Sequence, residues 1–199
     1  MVVYCRIVEL RRLGAFHEAL ARLWRHELAW ELYAISYDAV LLELDFYTEV
    51  LGRHISAMSK PETQIVADLG AGTGNVSIPL AQSGRKVVAL DASRAMLQRL
   101  RSKCPDEFDG QLTIVEDNAE SCSGLTSESF DGVSILLSLY DMERPRQAID
   151  QAIRILRPGG RIVLTEPKER FNLSVVLGRA KEILREKGLE TSLREHWQR

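Results

Sequence analysis

The chain has 199 residues, of which 45% are hydrophobic and 27% charged, with a formal net charge of −2, the profile of an ordinary globular protein with room for one sizeable core. That balance excludes an overall basic field able to gather nucleic acid, and no apolar run approaches the ~20 residues of a membrane-spanning helix. Charges arrive too early for a signal-peptide core, and Cys5, Cys104 and Cys122 lack metal spacing and read as free thiols in a reducing compartment, so the expected location is the cytoplasm.

Phe16, Leu20, Leu23 and Trp24 recur at helical spacing, as do Leu44, Tyr47, Leu51, Ile55 and Met58, which predicts helices ahead of a sheet. Lys60-Pro61-Glu62 ends that run, because proline disfavours a helical residue before it. The apolar stretch Ile65-Val66-Ala67 then enters Asp68-Leu69-Gly70-Ala71-Gly72-Thr73-Gly74 and the segment from Asn75 to Leu80. A buried strand that ends in an acid and turns on three glycines lets backbone approach a bound nucleoside where any Cβ would collide. The pattern Gly-x-Gly-x-x-Gly fails in both registers, since its third position is Asn75 or Ser77, and the Lys-Ser/Thr of a phosphate loop is absent. With no Lys or Arg between Asp68 and Leu80, the loop suits a nucleoside carrying a cationic group, such as the sulfonium and amine of S-adenosylmethionine, better than a polyphosphate.

A second strand, Val87 to Leu90, ends in Asp91, an acid placed to accept both ribose hydroxyls, and Ser93 offers a cap for the helix through Met96 and Leu97. A third, Leu112 to Val115, runs into Glu116-Asp117-Asn118-Ala119-Glu120, and a fourth spans Phe130 to Leu137. The helix through Ile149, Ile153 and Leu156 leads to a tight turn, Arg157-Pro158-Gly159-Gly160, and a fifth strand, Arg161 to Pro167. Asn172 or Ser174 caps a last helix carrying Val176, Ala180, Ile183 and Leu184, with Gly188 as its stop.

Over about residues 33–167 these ordered elements resemble the class I S-adenosylmethionine-dependent methyltransferases, in motif style the ubiquinone/menaquinone-biosynthesis-like branch. The resemblance implies an α/β, Rossmann-like three-layer sandwich with a mostly parallel sheet. The single domain divides into a helical lid (1–60), a cofactor-binding core (61–167) and a C-terminal helical segment (168–199). It implies S-adenosyl-L-methionine as cofactor, held by Asp68, Gly70, Ala71, Gly72, Asp91, Ala92, Met96, Asn118 and Ala119, with Asp117 as a competing register for the adenine contact at Asn118. The expected acceptor is a small molecule, with neither nucleic acid nor membrane as partner. Where small-molecule members often carry a His after the fourth strand, this chain has Ser138-Leu139-Tyr140-Asp141, so Tyr140 and Asp141 are the candidate catalytic residues, and Tyr33, Tyr37 and Asp38 fall in the lid.

The motifs of amino-methylating DNA enzymes, cytosine-C5 enzymes and arsenite methyltransferases are absent, and His17, His26, His54 and His196 have no metal spacing and read as surface or packed residues. Two rival functions share the cradle: a nicotinamide oxidoreductase, and a non-catalytic adenosylmethionine-binding protein. The family's antiparallel hairpin after the fifth strand has no alternating apolar run to supply it here, so a shortened C-terminus is expected, with the fifth strand at the sheet edge.

Overall fold

The computed structural model describes residues 34, 36–104, 110–167 and 173–189. The expected helix through Phe16 to Trp24, Tyr33, Cys5, His17, His26, His196 and Asn172 lie outside them. A helical turn at 36–41 precedes α1 (Asp45–Met58), followed by β1 (Ile65–Leu69), α2 (Ser77–Gln82), β2 (Lys86–Asp91), α3 (Arg94–Lys103) and β3 (Leu112–Glu116). Then come β4 (Phe130–Leu136), a 3-10 turn (Leu139–Asp141), α4 (Pro145–Ile155), β5 (Leu156–Thr165) and α5 (Leu173–Glu186).

The strands form one sheet in the order β3-β2-β1-β4-β5, and each adjacent pair is parallel. Chain order reverses between β1 and β4, so the crevice above their carboxyl ends is the topological switch point where ligands of such sheets bind. Side chains alternate across the sheet. Ala67, Leu69, Leu90, Val133 and Ile135 pack with Ala148, Ala152 and Ile155 of α4 on one face. Val66, Val87 and Val163 pack with Met58 of α1 and Leu80 of α2 on the other, and Ala89 packs there with Leu100 of α3. These are the three layers that strand–helix alternation implies.

Local chemistry sets the helix ends. Ser93 Oγ accepts the Met96 N–H at 3.3 Å and caps α3, as its position in the sequence predicts. Proline opens α4, where no intrahelical N–H partner is needed. The buried side of α4 is Ala148, Ala152 and Ile155, with Ile149 partly buried, whereas Ile153 is 60% exposed. The expected helix through Ile149, Ile153 and Leu156 thus forms with Ile153 on its exposed side, and it is the small alanines that allow it to approach the sheet. Leu156 already belongs to β5.

The expected tight turn lies within that strand. Phe130 pairs with Leu156 but Gly132 pairs with Arg161, so residues 157–160 loop out of register, helped by Gly159 at φ +81°. The strand ends at Thr165, two residues short of the expected Pro167. Among the described residues no antiparallel strand follows, and β5 has a partner on one side only. α5 places Val176, Ala180, Ile183 and Leu184 against Val40, Leu44, Tyr47 and Leu137, a cluster containing no residue of β5. Gly188, at φ +66°, follows its end.

A Cβ built on Gly132 meets Thr63 Cγ2 at 2.5 Å and Met58 Cε at 2.7 Å, so α1 and the approach to β1 crowd β4 there. Gly132→Ala is expected to destabilise the fold by about 1–3 kcal/mol through overpacking, whereas Ile153→Ser stays within about 0.5 kcal/mol of the parent. Urea unfolding midpoints check both, and an unchanged midpoint for Gly132→Ala contradicts the crowding.

Candidate functional site

The site is built from the tips of β1, β2, β3 and β4. After β1 the chain turns through Gly70, Gly72 and Gly74 at φ +76°, +55° and +85°, conformations that L side chains rarely adopt. The glycines have different surroundings. A Cβ on Gly70 would lie 2.5 Å from Ser138, and one on Gly74 would lie 2.8 Å from Leu100, so both are required by packing. At Gly72 nothing lies within 4 Å, which leaves the space above the loop's middle open.

Two carboxylates hold this loop. Asp91, at the tip of β2, accepts the Gly72 N–H and the Ser93 N–H, each at 2.8 Å, while Gly70 and Ala71 donate to Leu90 O at 2.8 and 3.0 Å. Burial raises the Asp91 carboxyl, and hydrogen bonds from Ser93, Gly72 and Ala92 oppose the shift. Asp68, 2% exposed, accepts Ser77 Oγ at 2.6 Å and Ser134 Oγ at 2.7 Å. Both its oxygens are thus engaged beneath the loop, and burial pushes its carboxyl up to about 6. Asp68 sits under the cradle rather than at its mouth, which differs from a direct contact to a ligand amine.

Beyond Ser134 the buried chain continues. His54 Nε2 lies 2.9 Å from Ser134 Oγ and its Nδ1 2.8 Å from Thr165 Oγ1. His54 is 2% exposed, and burial lowers its pKa to about 4, so the ring is neutral. The sequence leaves it as a surface or packed residue, because one histidine on a helix carries no sign of its partners.

In the turn after β3 the two candidates for the adenine contact have different surroundings. Asp117 accepts the Asn118 and Gly124 N–H groups and the Ser121 and Ser123 hydroxyls, so its carboxylate is occupied in its own turn. Asn118 is exposed, with Oδ1 on the Glu120 N–H at 2.7 Å, and Ala119 is buried beside it. Glu120 anchors the turn through Arg144, accepting its N–H and Nε–H, each at 2.9 Å. Met96 is buried in the first turn of α3, and Ala92 is exposed at the tip of β2.

Asp38 lies against the loop, accepting Thr73 Oγ1 at 2.6 Å and Lys103 Nζ at 2.9 Å. Lys103 also reaches Asn75 Oδ1 at 3.2 Å, so α3 brings a cation to a loop whose own sequence has none. Its partner Asp38 balances that charge.

After β4, Tyr140 is 39% exposed in the 3-10 turn. Asp141 is open to solvent on one side yet crowded on the other. Burial, with the charges of Glu166 and Asp91, raises its carboxyl to about 7 against a hydrogen bond from Tyr140. Glu166 escaped sequence reasoning. Its Oε1 accepts the Ser138 and Leu139 N–H groups at 3.1 and 2.9 Å, its Oε2 is buried with no partner among the described residues, and burial pushes its carboxyl up to about 7.

Residues 67–164, which hold the glycine loop, both strand-tip acids and the 3-10 turn, match the methyltransferase domain family. The chain carries a class I S-adenosylmethionine-dependent methyltransferase domain. It is 40% identical over 101 residues to a demethylmenaquinone methyltransferase of Clavibacter sepedonicus, covering 51% of this chain and 40% of that protein. To that of Paenarthrobacter aurescens it is 35% identical over 142 residues, covering 67% and 54%. The chain therefore spans about half the length of the curated relatives it matches.

Among solved structures, the PH0226 protein of Pyrococcus horikoshii superposes with a TM-score of 0.62 at 22% identity, covering 79% of this chain and 69% of that one. The [4+2]-cyclase SpnF superposes at 0.60 and 15% identity, covering 84% and 72%. These likenesses establish the fold, and a cyclase among them shows that the fold alone does not decide the chemistry. No helix among the described residues is long and apolar enough to cross a membrane, and no metal-binding cluster is present among them.

Glu166 provides a test of the site's electrostatics. Its carboxyl ordinarily titrates near 4.5 and here near 7, so between those values the folded protein holds a proton that the unfolded chain has released. Stability therefore falls as pH rises through that window. Glu166→Gln removes the titration while keeping an oxygen for the two N–H groups, so its stability relative to the parent is expected to improve from about pH 4.5 to above pH 7. Unfolding midpoints across that range check it, and a pH-independent difference contradicts the assignment.

Proposed function

We propose that this chain transfers a methyl group from S-adenosylmethionine to a small-molecule acceptor at the carboxyl ends of β1, β2 and β3. The observation that carries this is the open space at Gly72, beside a strand-tip carboxylate that already orders the loop's backbone. A side chain there would enter that space, which we assign to a nucleoside. Asp91 has used one acceptor site on each oxygen, leaving lone pairs for two ribose hydroxyls. Asn118 and the backbone of Ala119 take the adenine edge, since Asp117 is committed to its own turn, and Met96 and Ala92 flank it. Gly70 and Ala71 shape the loop, and Asp68 holds it from below.

When bound, the cofactor supplies a methyl group activated by a sulfonium. The chain's own groups suit a cationic ligand: Asp91, Asp141 and Glu166 face the crevice, the charges of Glu166 and Asp91 add to burial in raising the Asp141 carboxyl, and Lys103 is held by Asp38 and Asn75. Tyr140 and Asp141 are the groups on the acceptor side. A carboxyl titrating near 7 exchanges a proton at neutral pH, which lets Asp141 orient or deprotonate an acceptor hydroxyl or ring. In-line approach within a dry pocket supplies much of the remaining rate. The relatives' names offer the first acceptor to assay, demethylmenaquinone.

Calorimetry with S-adenosylmethionine and S-adenosylhomocysteine tests the cradle. Asp91→Ala is expected to weaken both by about ten- to a hundredfold, as loss of hydrogen bonds to a charged group of ~1.5–3 kcal/mol implies, and unchanged affinity in the folded variant sinks the ribose assignment. For Gly72→Val, the positive φ is expected to lower stability by about 1–2 kcal/mol while binding is lost altogether. Circular dichroism alongside titration separates those effects, and tight binding by the variant would contradict the cradle itself.

A further inference from the structure

The hydrogen bonds around His54 have only one consistent set of proton positions. Asp68, as a carboxylate, only accepts, so the hydroxyl hydrogens of Ser77 and Ser134 both point to it. Ser134 then has only lone pairs to offer His54 Nε2, which must carry the ring's hydrogen. Nδ1 is left as an acceptor, and Thr165 donates to it. The chain runs Thr165 to His54 to Ser134 to Asp68, with each donor used once. It joins α1 and the tip of β5 to the floor of the glycine loop.

We propose that His54 is a positioning residue for the cofactor loop, acting through Ser134 and Asp68. By donating to Ser134, the imidazole fixes the hydroxyl rotamer that serves Asp68, and Asp68 in turn fixes Ser77 and the exit of the loop. Without that donor, Ser134 is free to turn away and Asp68 keeps one partner of two. His54 is itself sealed from solvent, so it cannot touch a ligand in the crevice, and any effect on ligand affinity must pass along this chain. The proposal rests on the cofactor-binding function proposed above.

The test is calorimetric titration of S-adenosylhomocysteine into the parent, His54→Phe, His54→Gln and Ser134→Ala, with thermal unfolding of each. His54→Phe fills the space without a donor and is expected to bind about tenfold more weakly, whereas His54→Gln keeps an N–H for Ser134 and stays within about threefold of the parent. Ser134→Ala is expected to match His54→Phe, and the double variant to lose no more than either alone, since both cut one link. If the parent binds and folded His54→Phe does so within about twofold of it, the positioning role is overturned while the cofactor function stands. Equal losses in the Phe and Gln variants also overturn it, because the ring's shape rather than its donor would then matter. Should His54→Phe fail to fold, Ser134→Ala decides alone, and parental affinity there overturns the proposal. A parent that binds no cofactor overturns the function and this inference together.

Discussion

A carboxylate removed from water is costly unless its lone pairs are filled, and Asp68 is removed from water almost completely. Its two partners impose much of the surrounding geometry. Ser134 serves it because β4 lies beside β1 with Asp68 and Ser134 as register partners, which is the adjacency that creates the topological switch point. Ser77 serves it because α2 begins close beneath the loop, so the chain must double back between Leu69 and Ser77. That reversal is what demands positive φ at Gly70, Gly72 and Gly74. The open cradle above Gly72 is thus a consequence of satisfying a buried acid below it.

Electrostatics set the character of the crevice in the same way. Asp91 and Glu166 come from the ends of β2 and β5 and Asp141 from the turn after β4, and each carboxyl is raised by its surroundings although Asp141 keeps one side open to solvent. Backbone N–H groups at Gly72 and Ser93 on Asp91, and at Ser138 and Leu139 on Glu166, oppose the upward shift that burial imposes without adding charge. Lys103, which reaches the end of the glycine loop at Asn75, is paired with Asp38. A site so arranged disfavours a polyphosphate and favours a ligand with positive charge.

Several features were hidden from the sequence for identifiable reasons. Side chains such as Ala148 and Ala152 are weak signals in a hydrophobic pattern, yet their small size is what lets α4 lie close against the sheet. The out-of-register segment 157–160 depends on where β4 stands, which is information outside its own residues. Lys103 lies 28 residues beyond Asn75, and His54 lies 80 and 111 residues from its two partners. No local spacing reports contacts of that range.

What the sequence determined alone was the set of strands, their order of appearance, the glycine turn and the acids at the strand tips, because short apolar runs, glycine punctuation and cap residues are local and survive as pattern. It also carried the methyltransferase resemblance, whose motifs are short runs at strand ends. Only the tertiary structure decided that Asp68 lies beneath the loop while Asp91 lies beside it, that the Asp117 carboxylate is engaged in its own turn while Asn118 is exposed, and that Glu166 lies close enough to Asp141 for its charge to be felt there. Those distinctions depend on which lone pairs and N–H groups are already occupied, and occupancy exists only once distant segments have packed together.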